Sequence, residues 1–223
     1  MRFAVLGSGS QGNGTLIASG DTYILVDCGF SLRETERRLA LLGVSAAQLS
    51  AVLVTHEHAD HVHGVGLLSR RYNVPVYLSQ GTLRGLRKPV EVAGFLACGQ
   101  RLSVGSLEVT ASRVEHDAHE PLQYVVSDGT RRFGMLTDLG SYDARLLDGY
   151  RDLDALLIEA NHCRDMLARG HYPYFLKQRV GGMRGHLNNH QAASLVHELG
   201  WNTLQHLVLA HLSSKNNLPH LAR

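Results

Sequence analysis

Thr55-His56-Glu57-His58-Ala59-Asp60-His61-Val62-His63-Gly64 decides how this chain reads. The segment follows directly on the apolar run Ala51-Val52-Leu53-Val54, which has the length and branching of a buried strand. His56, His58, Asp60 and His61 then place three imidazoles and a carboxylate within six positions. Imidazole nitrogens and carboxylate oxygens are the donors that bind zinc, manganese or iron at neutral pH. Packed together without a cation, four such groups would repel one another or stay unsatisfied. A strand that breaks into this cluster reads as a metal site at a sheet edge, where α/β proteins tend to keep their chemistry. Metal-dependent hydrolysis is therefore the expected chemistry, with further ligands to come from elsewhere in the chain.

Working outward, Arg2–Leu6, Thr15–Ala18 and Tyr23–Val26 read as short strands. Between the first two lies Gly7-Ser8-Gly9-Ser10-Gln11-Gly12-Asn13-Gly14, a literal G-x-G-x-x-G, with Asp27 following as in a dinucleotide fingerprint. A dinucleotide loop must open a helix, whereas Thr15-Leu16-Ile17-Ala18 has strand character, so no dinucleotide site is expected. Exposed backbone N–H groups in such a turn can instead hold a phosphate, which makes Ser8, Ser10 and Asn13 candidates for a terminal phosphate. Ser31 and Glu34 predict a capping box opening a helix through Leu42, ended by Gly43, with Arg33, Arg37 and Arg38 as a solvated face. Val62–Tyr72 predicts one helix, Val76-Tyr77-Leu78 a strand, and Gly81–Leu86 a short helix. Leu107–Ser112, Gln123–Val126, Arg132–Leu136, Asp154–Ile158 and Leu204–Leu209 predict strands, with a turn at Ser127-Asp128-Gly129-Thr130. Asn189–Leu199 predicts a helix stopped by Gly200. No repeat or linker interrupts the pattern, which suggests one α/β domain over residues 1–223 with mixed sheets.

A site with two metals needs about three to four protein ligands per metal. Three later residues have the same placement as the histidine cluster: His116 past Val109–Val114, Asp138 past Phe133–Thr137, and His211 past Leu207–Ala210. Taken singly, each could be a hydrogen-bonded loop residue; together with the cluster they make a ligand set. His63 is read as supporting or surface, and His171, His190, His197, His206 and His220 as surface or packing histidines.

Composition limits the alternatives. The chain has 223 residues, enough for a full core, with 44% hydrophobic and 19% charged residues, as in a globular protein. No stretch approaches a membrane span, and Met1–Gly7 runs into a strand without a signal-peptide pattern, so a cytoplasmic protein with no membrane partner is expected. Cys28, Cys98 and Cys163 form no C-x-x-C pair, which excludes a cysteine-ligated zinc site and a disulfide framework; Cys98 reads as incidental or buried. A net charge of +2 means that any nucleic-acid contact must use a local patch, and Lys177, Arg179 and Arg184, interleaved with glycines, read as a basic loop able to bind backbone phosphates.

Thr55–His61 resembles the H-x-H-x-D-H motif of the metallo-β-lactamase fold, and the whole chain resembles the YycJ/WalJ-type branch of that superfamily. The resemblance rests on Ser8–Asn13, Leu25–Gly29, the histidine motif, His116-Asp117-Ala118, Thr137–Gly140, Glu159-Ala160-Asn161-His162, Gly185-His186-Leu187 and Ala210–Ser213 with Asn216-Asn217. It implies a four-layer αββα sandwich with mixed sheets and two divalent metal ions (Zn, Mn or Fe). It implies further that His56, His58 and His116 bind one metal, that Asp60, His61 and His211 bind the other, and that Asp138 bridges. Asp27 is the acid it places behind the histidine motif. The activity it implies is phosphodiester cleavage, chiefly 5′-to-3′ exonuclease action on DNA ends. Cys163 and Asn188 depart from the pattern, standing where an acidic residue and a serine are usual. The branch usually continues past Asn216-Asn217 with a helix and strand, which are expected to be missing here.

The mechanism so implied uses a metal-bridging hydroxide as nucleophile, with Asp60 among the catalytic residues and His186 and His162 as candidate proton donors. Asn161 joins Lys177, Arg179 and Arg184 as a candidate substrate contact. Rival readings are a thioester or lactone hydrolase of the same fold, a di-iron oxidoreductase, and a non-catalytic metal module. The histidines at 56 and 58 argue against the second and an open ligand set against the third.

Overall fold

The computed structural model describes residues 1–200 and 202–223. The chain divides into two compact units. The first comprises Met1–Ala111 with Ala118–Leu122 and Val126–Thr130, and the second Ser112–Asp117, Gln123–Val125 and Arg131–Arg223.

In the first unit β1 (Arg2–Gly7), β2 (Gly14–Ser19) and β3 (Thr22–Val26) run antiparallel, and β4 (Ala51–Leu53), β5 (Val76–Leu78) and β6 (Gly94–Phe95) follow in parallel, giving a six-stranded sheet in chain order. The glycine-rich segment is thus the turn of a β1–β2 hairpin and opens no helix, as its strand-like sequel required. The helices are α1 (Leu32–Ala40), α2 (Ala59–Val62), α3 (Val65–Tyr72) and α4 (Gln80–Gly85), with a 3-10 turn at Ala46–Gln48. Leu25, Val52, Val76 and Leu78 of the strands pack with Leu39 of α1 and with Val65 and Leu68 of α3.

Two helix expectations are corrected here. The Ser31 hydroxyl accepts from the Glu34 N–H at 3.3 Å, but the Glu34 carboxylate turns forward to Arg37 and Arg38 instead of back to the cap. The capping box is half formed, α1 stops at Ala40, and Arg37 and Arg38 are ion-paired. The single helix expected over Val62–Tyr72 is two helices broken at Gly64. A Cβ there would lie 2.3 Å from the Phe30 carbonyl oxygen and 2.7 Å from Cys28 Sγ. The close passage of the segment after β3 therefore demands glycine and bends the chain.

The second sheet contains β7 (Arg101–Val104), β8 (Leu107–Arg113), β9 (Leu122–Ser127), β10 (Arg132–Leu136), β11 (Ala155–Glu159) and β12 (His206–Ala210), in the order β12-β11-β10-β9-β8-β7. β7 and β8 are antiparallel, whereas β10, β11 and β12 are parallel, so this sheet is mixed like the first. The second unit carries α5 (Ala144–Gly149), α6 (Arg164–Arg169), α7 (Tyr174–Val180), α8 (Asn189–Leu199) and α9 (Pro219–Ala222). Its core joins Leu136, Leu156 and Ile158 of the sheet to Leu146 and Leu147 of α5 and to Ala192, Leu195 and Val196 of α8. α8 spans the predicted residues because both of its ends are written locally. Asn188 accepts from His190 and Gln191 and closes a capping box, and Gly200 follows with φ 80°. The stretch read as a basic loop instead places Lys177 and Arg179 on α7, which buries no residue and so shows no apolar stripe. Cys98 is exposed. Among the described residues no helix is long and apolar enough to cross a membrane.

Candidate metal centre

In the first unit the histidine motif leaves β4 beside the end of β3, where Asp27 sits with φ 60°, a left-handed conformation that Asp tolerates better than most residues. Asp27 is buried. Its carboxylate accepts from the Thr55 N–H at 2.8 Å and from the Thr55 hydroxyl, and Oδ2 lies 2.8 Å from His61 Nδ1. A carboxylate only accepts, so Nδ1 carries the proton and Nε2 is the acceptor. That Nε2 stands 3.7 Å from Asp60 Oδ2. The Asn13 amide nitrogen lies 3.0 Å from His61 Nε2 and 3.3 Å from Asp60 Oδ2, so two lone pairs converge on one donor, as they would on a cation. His56 Nε2 and His58 Nδ1 face each other at 3.0 Å, a second convergence of nitrogen atoms. Glu57, between them, turns away to His119, whose Nδ1 lies 2.6 Å from its carboxylate. His63 is exposed.

In the second unit the ligand-type residues follow adjacent strand ends. Asp138 lies past β10 with φ 57°, Glu159 ends β11, and His211 follows β12 with φ 52°. The parallel register brings these ends together. Asp138, Glu159, His186 and His211 each offer one ligand atom, and the four atoms lie within 4.8 Å of one another. His211 Nε2 is 3.4 Å from Asp138 Oδ1, while its Nδ1 is 3.6 Å from Glu159 Oε2. His116 Nδ1 lies 3.1 Å from the Gly185 carbonyl oxygen, which can only accept; its Nε2 therefore carries the lone pair and lies 3.9 Å from Asp138 Oδ1.

Glu159, which the sequence marks only as part of the Glu159–His162 motif, lies at the centre of this cluster. It is fully buried and accepts the N–H groups of Asp138 at 3.1 Å, Leu139 at 3.1 Å and Leu187 at 2.8 Å, with His186 Nδ1 at 3.1 Å. The signal was present: a carboxylate closing the apolar run Ala155–Ile158, the same placement that marked Asp138. Burial pushes its carboxyl up, but the His186 charge and the bonds from His186 and His211 bring it well below the carboxylate range. Burial pulls His186 down, and the Glu159 charge and hydrogen bond outweigh this and raise it to about 9. His162 is buried, and that burial lowers it to about 4 despite the nearby Glu159 charge.

The residues read as substrate contacts have other engagements. Ser8 and Ser10 are exposed, whereas Asn13 is buried against Asp60 and His61. The Asn161 amide donates to the His211 carbonyl at 3.0 Å and so helps to hold that residue. Lys177 Nζ donates to the Ala168 carbonyl at 2.6 Å, Arg179 pairs with Asp117, and Arg184 donates twice to the His116 carbonyl, at 3.2 and 3.0 Å. His171, His190, His197, His206 and His220 are exposed.

The donor chemistry fits divalent cations, because ring nitrogens converge with carboxylate oxygens in each unit. A family model described as a β-lactamase superfamily domain matches residues 22–212. Together these define a metal-dependent hydrolase of that superfamily. The chain is 34% identical over 228 residues to exodeoxyribonuclease YycJ of Bacillus anthracis, covering 100% of this chain and 86% of that one. It is 33% identical over 229 residues to exodeoxyribonuclease WalJ of Streptococcus pneumoniae, covering 99% and 85%. The chain belongs to this YycJ/WalJ-type branch of the metallo-β-lactamase superfamily. The fold is that of the metallo-β-lactamase-fold protein YhfI from Bacillus subtilis, at a TM-score of 0.77 and 22% identity over 99% of this chain and 90% of that one.

Proposed function

We propose that the protein is a two-metal phosphodiesterase acting as a 5′-to-3′ exonuclease on DNA. In this reading His56, His58 and His116 serve one cation, Asp60, His61 and His211 the other, and Asp138 both. The observation that carries it is the direction of the ring nitrogens. His61 Nδ1 is held by Asp27 and His116 Nδ1 by the Gly185 carbonyl, which turns each Nε2 toward a carboxylate. Exodeoxyribonuclease is the name of two relatives that match over nearly the full chain at 33–34% identity. The chemistry that zinc, manganese or iron supplies at such donors is to acidify water and to neutralise charge on phosphate oxygens.

The remaining work falls to side chains. Asp27 fixes the tautomer of His61, Asn13 holds Asp60, and Glu159 holds the backbone at Asp138 and the rings of His186 and His211. His186 is the proton donor toward the leaving oxygen, because it is partly open to solvent and carries a proton at neutral pH, whereas His162 is buried and neutral. The test is the double variant D60A/H61A on duplex DNA with and without a 5′-phosphate, with metal content measured in parallel. Activity should fall at least a hundredfold with loss of bound metal, and full activity in the variant overturns the two-metal mechanism.

A further inference from the structure

Ala160–His197 carries five Lys and Arg (Arg164, Arg169, Lys177, Arg179 and Arg184) against a single carboxylate, Asp165. Its net +4 exceeds the +2 of the whole chain, so the rest of the protein is net acidic and the positive charge is concentrated here. In the middle of this stretch Tyr174 is 76% exposed, Phe175 71% and Met183 71%. A single exposed apolar side chain needs no explanation, but two consecutive exposed aromatic residues within a cationic segment do.

We infer that Tyr174 and Phe175 form a stacking platform for unpaired bases at the end of a single-stranded nucleic acid, with the surrounding cations attracting its backbone. Aromatic faces beside a positive track are how proteins hold single strands without reading their sequence, since every base has a π-face. The charge selects the occupant. An apolar protein partner would gain nothing from the segment's cations, of which Arg179 is already paired with Asp117, whereas a polyanion with flat apolar bases uses both features.

The platform is tied to the candidate ligands of the same unit. Arg179, on the helix that carries both rings, pairs with Asp117 next to His116. Val180 ends that helix and accepts from the His186 N–H at 2.9 Å, and Arg184 holds the His116 carbonyl. A strand stacked on the rings would therefore be anchored to the segment that carries His186. The inference rests on the nucleic-acid reading above and adds a requirement for unpaired bases.

The test measures binding of a fluorescent single-stranded oligonucleotide by metal-free full-length protein, so that no cleavage intervenes. Replacing both rings in Y174A/F175A should weaken binding at least tenfold, since a stacked ring is worth roughly five- to hundredfold per base. The melting temperature should stay the same, because neither ring is buried, and Y174W/F175W should restore binding. Affinity within twofold of wild type in Y174A/F175A overturns the platform. So does a double variant that turns a dimer into a monomer while binding DNA normally, because the rings would then be a subunit contact. Wild type that loses oligonucleotide binding on Y174A/F175A but releases no nucleotides with manganese supports the platform and overturns the exonuclease reading. Cleavage with unchanged binding in the variant does the reverse.

Discussion

Replacing Glu159 with glutamine removes a charge and turns one acceptor into a donor, at a position with no access to water. Oε1 accepts the N–H groups of Leu139 and Leu187, and Oε2 accepts that of Asp138 and faces His186 Nδ1. Whichever way the amide is oriented, its NH2 opposes two donors. A hydrogen bond to a charged group is worth about 1.5–3 kcal/mol, so losing two gives about 3–6 kcal/mol. Removing one partner of a buried ion pair independently gives about 3–5 kcal/mol, the partner here being His186 at 3.1 Å. The two estimates agree near 4 kcal/mol, a large part of the roughly 5–15 kcal/mol that holds a domain together. At about 2–4 °C per kcal/mol, the melting temperature of the metal-free E159Q protein should fall by about 8–16 °C. Thermal unfolding by circular dichroism in chelator is the assay. A shift below about 2 °C would refute the view that Glu159 holds the ends of β10 and β12 in place.

Two further outcomes follow from the same geometry. D27N should lower zinc affinity about 10–100-fold, because an amide beside His61 Nδ1 no longer fixes the tautomer; competition with a chromophoric chelator measures this, and affinity within twofold of wild type contradicts it. His186 is raised from 6.5 to about 9, so its contribution is complete below pH 6.5 and is lost as pH rises through 9, at about 1.4 kcal/mol per pH unit and about 3 kcal/mol in all. Urea unfolding of metal-free protein across that window should show the loss in wild type and not in H186N, and equal slopes would rule it out.

The sequence makes most of the strands and α8 legible because each carries its own signal, an apolar run or a written cap; β6 and β7 carry no such run and are not among the expected strands. α6 and α7 escaped because they bury almost nothing: Leu167 is the one buried residue of α6, and α7 has none. The break at Gly64 escaped because its cause is Phe30, which is distant in sequence. Among site residues, ligand types past strand ends were readable, since a strand end fixes where a side chain emerges. Asn13 and Asn161 show the limit of that reading. The sequence marks both as candidate substrate contacts, because residue type shows that an amide can donate but not toward what. The structure turns Asn13 to Asp60 and His61, and Asn161 to the His211 carbonyl.

Three of the candidate metal-site residues share a backbone state that sequence alone does not announce. Asp27, Asp138 and His211 have φ of 60°, 57° and 52°, and each stands one or two residues past a strand. Left-handed backbone is uncommon outside glycine, with Asp, Asn and His the better-tolerated exceptions, and it costs on the order of 1 kcal/mol at each. The left-handed residue bends the chain just past the strand end. At Asp138 the same turn directs the backbone N–H to Glu159, and the carboxylate toward His116 and His211. Asp and His thus meet two demands at these positions, a side chain that brings polar atoms to the candidate site and a backbone that tolerates the bend. Glutamate would keep the charge of Asp138 but fit the backbone poorly, whereas asparagine would fit the backbone and lose the charge. That double demand explains why a carboxylate this short, and not its longer homologue, closes β10.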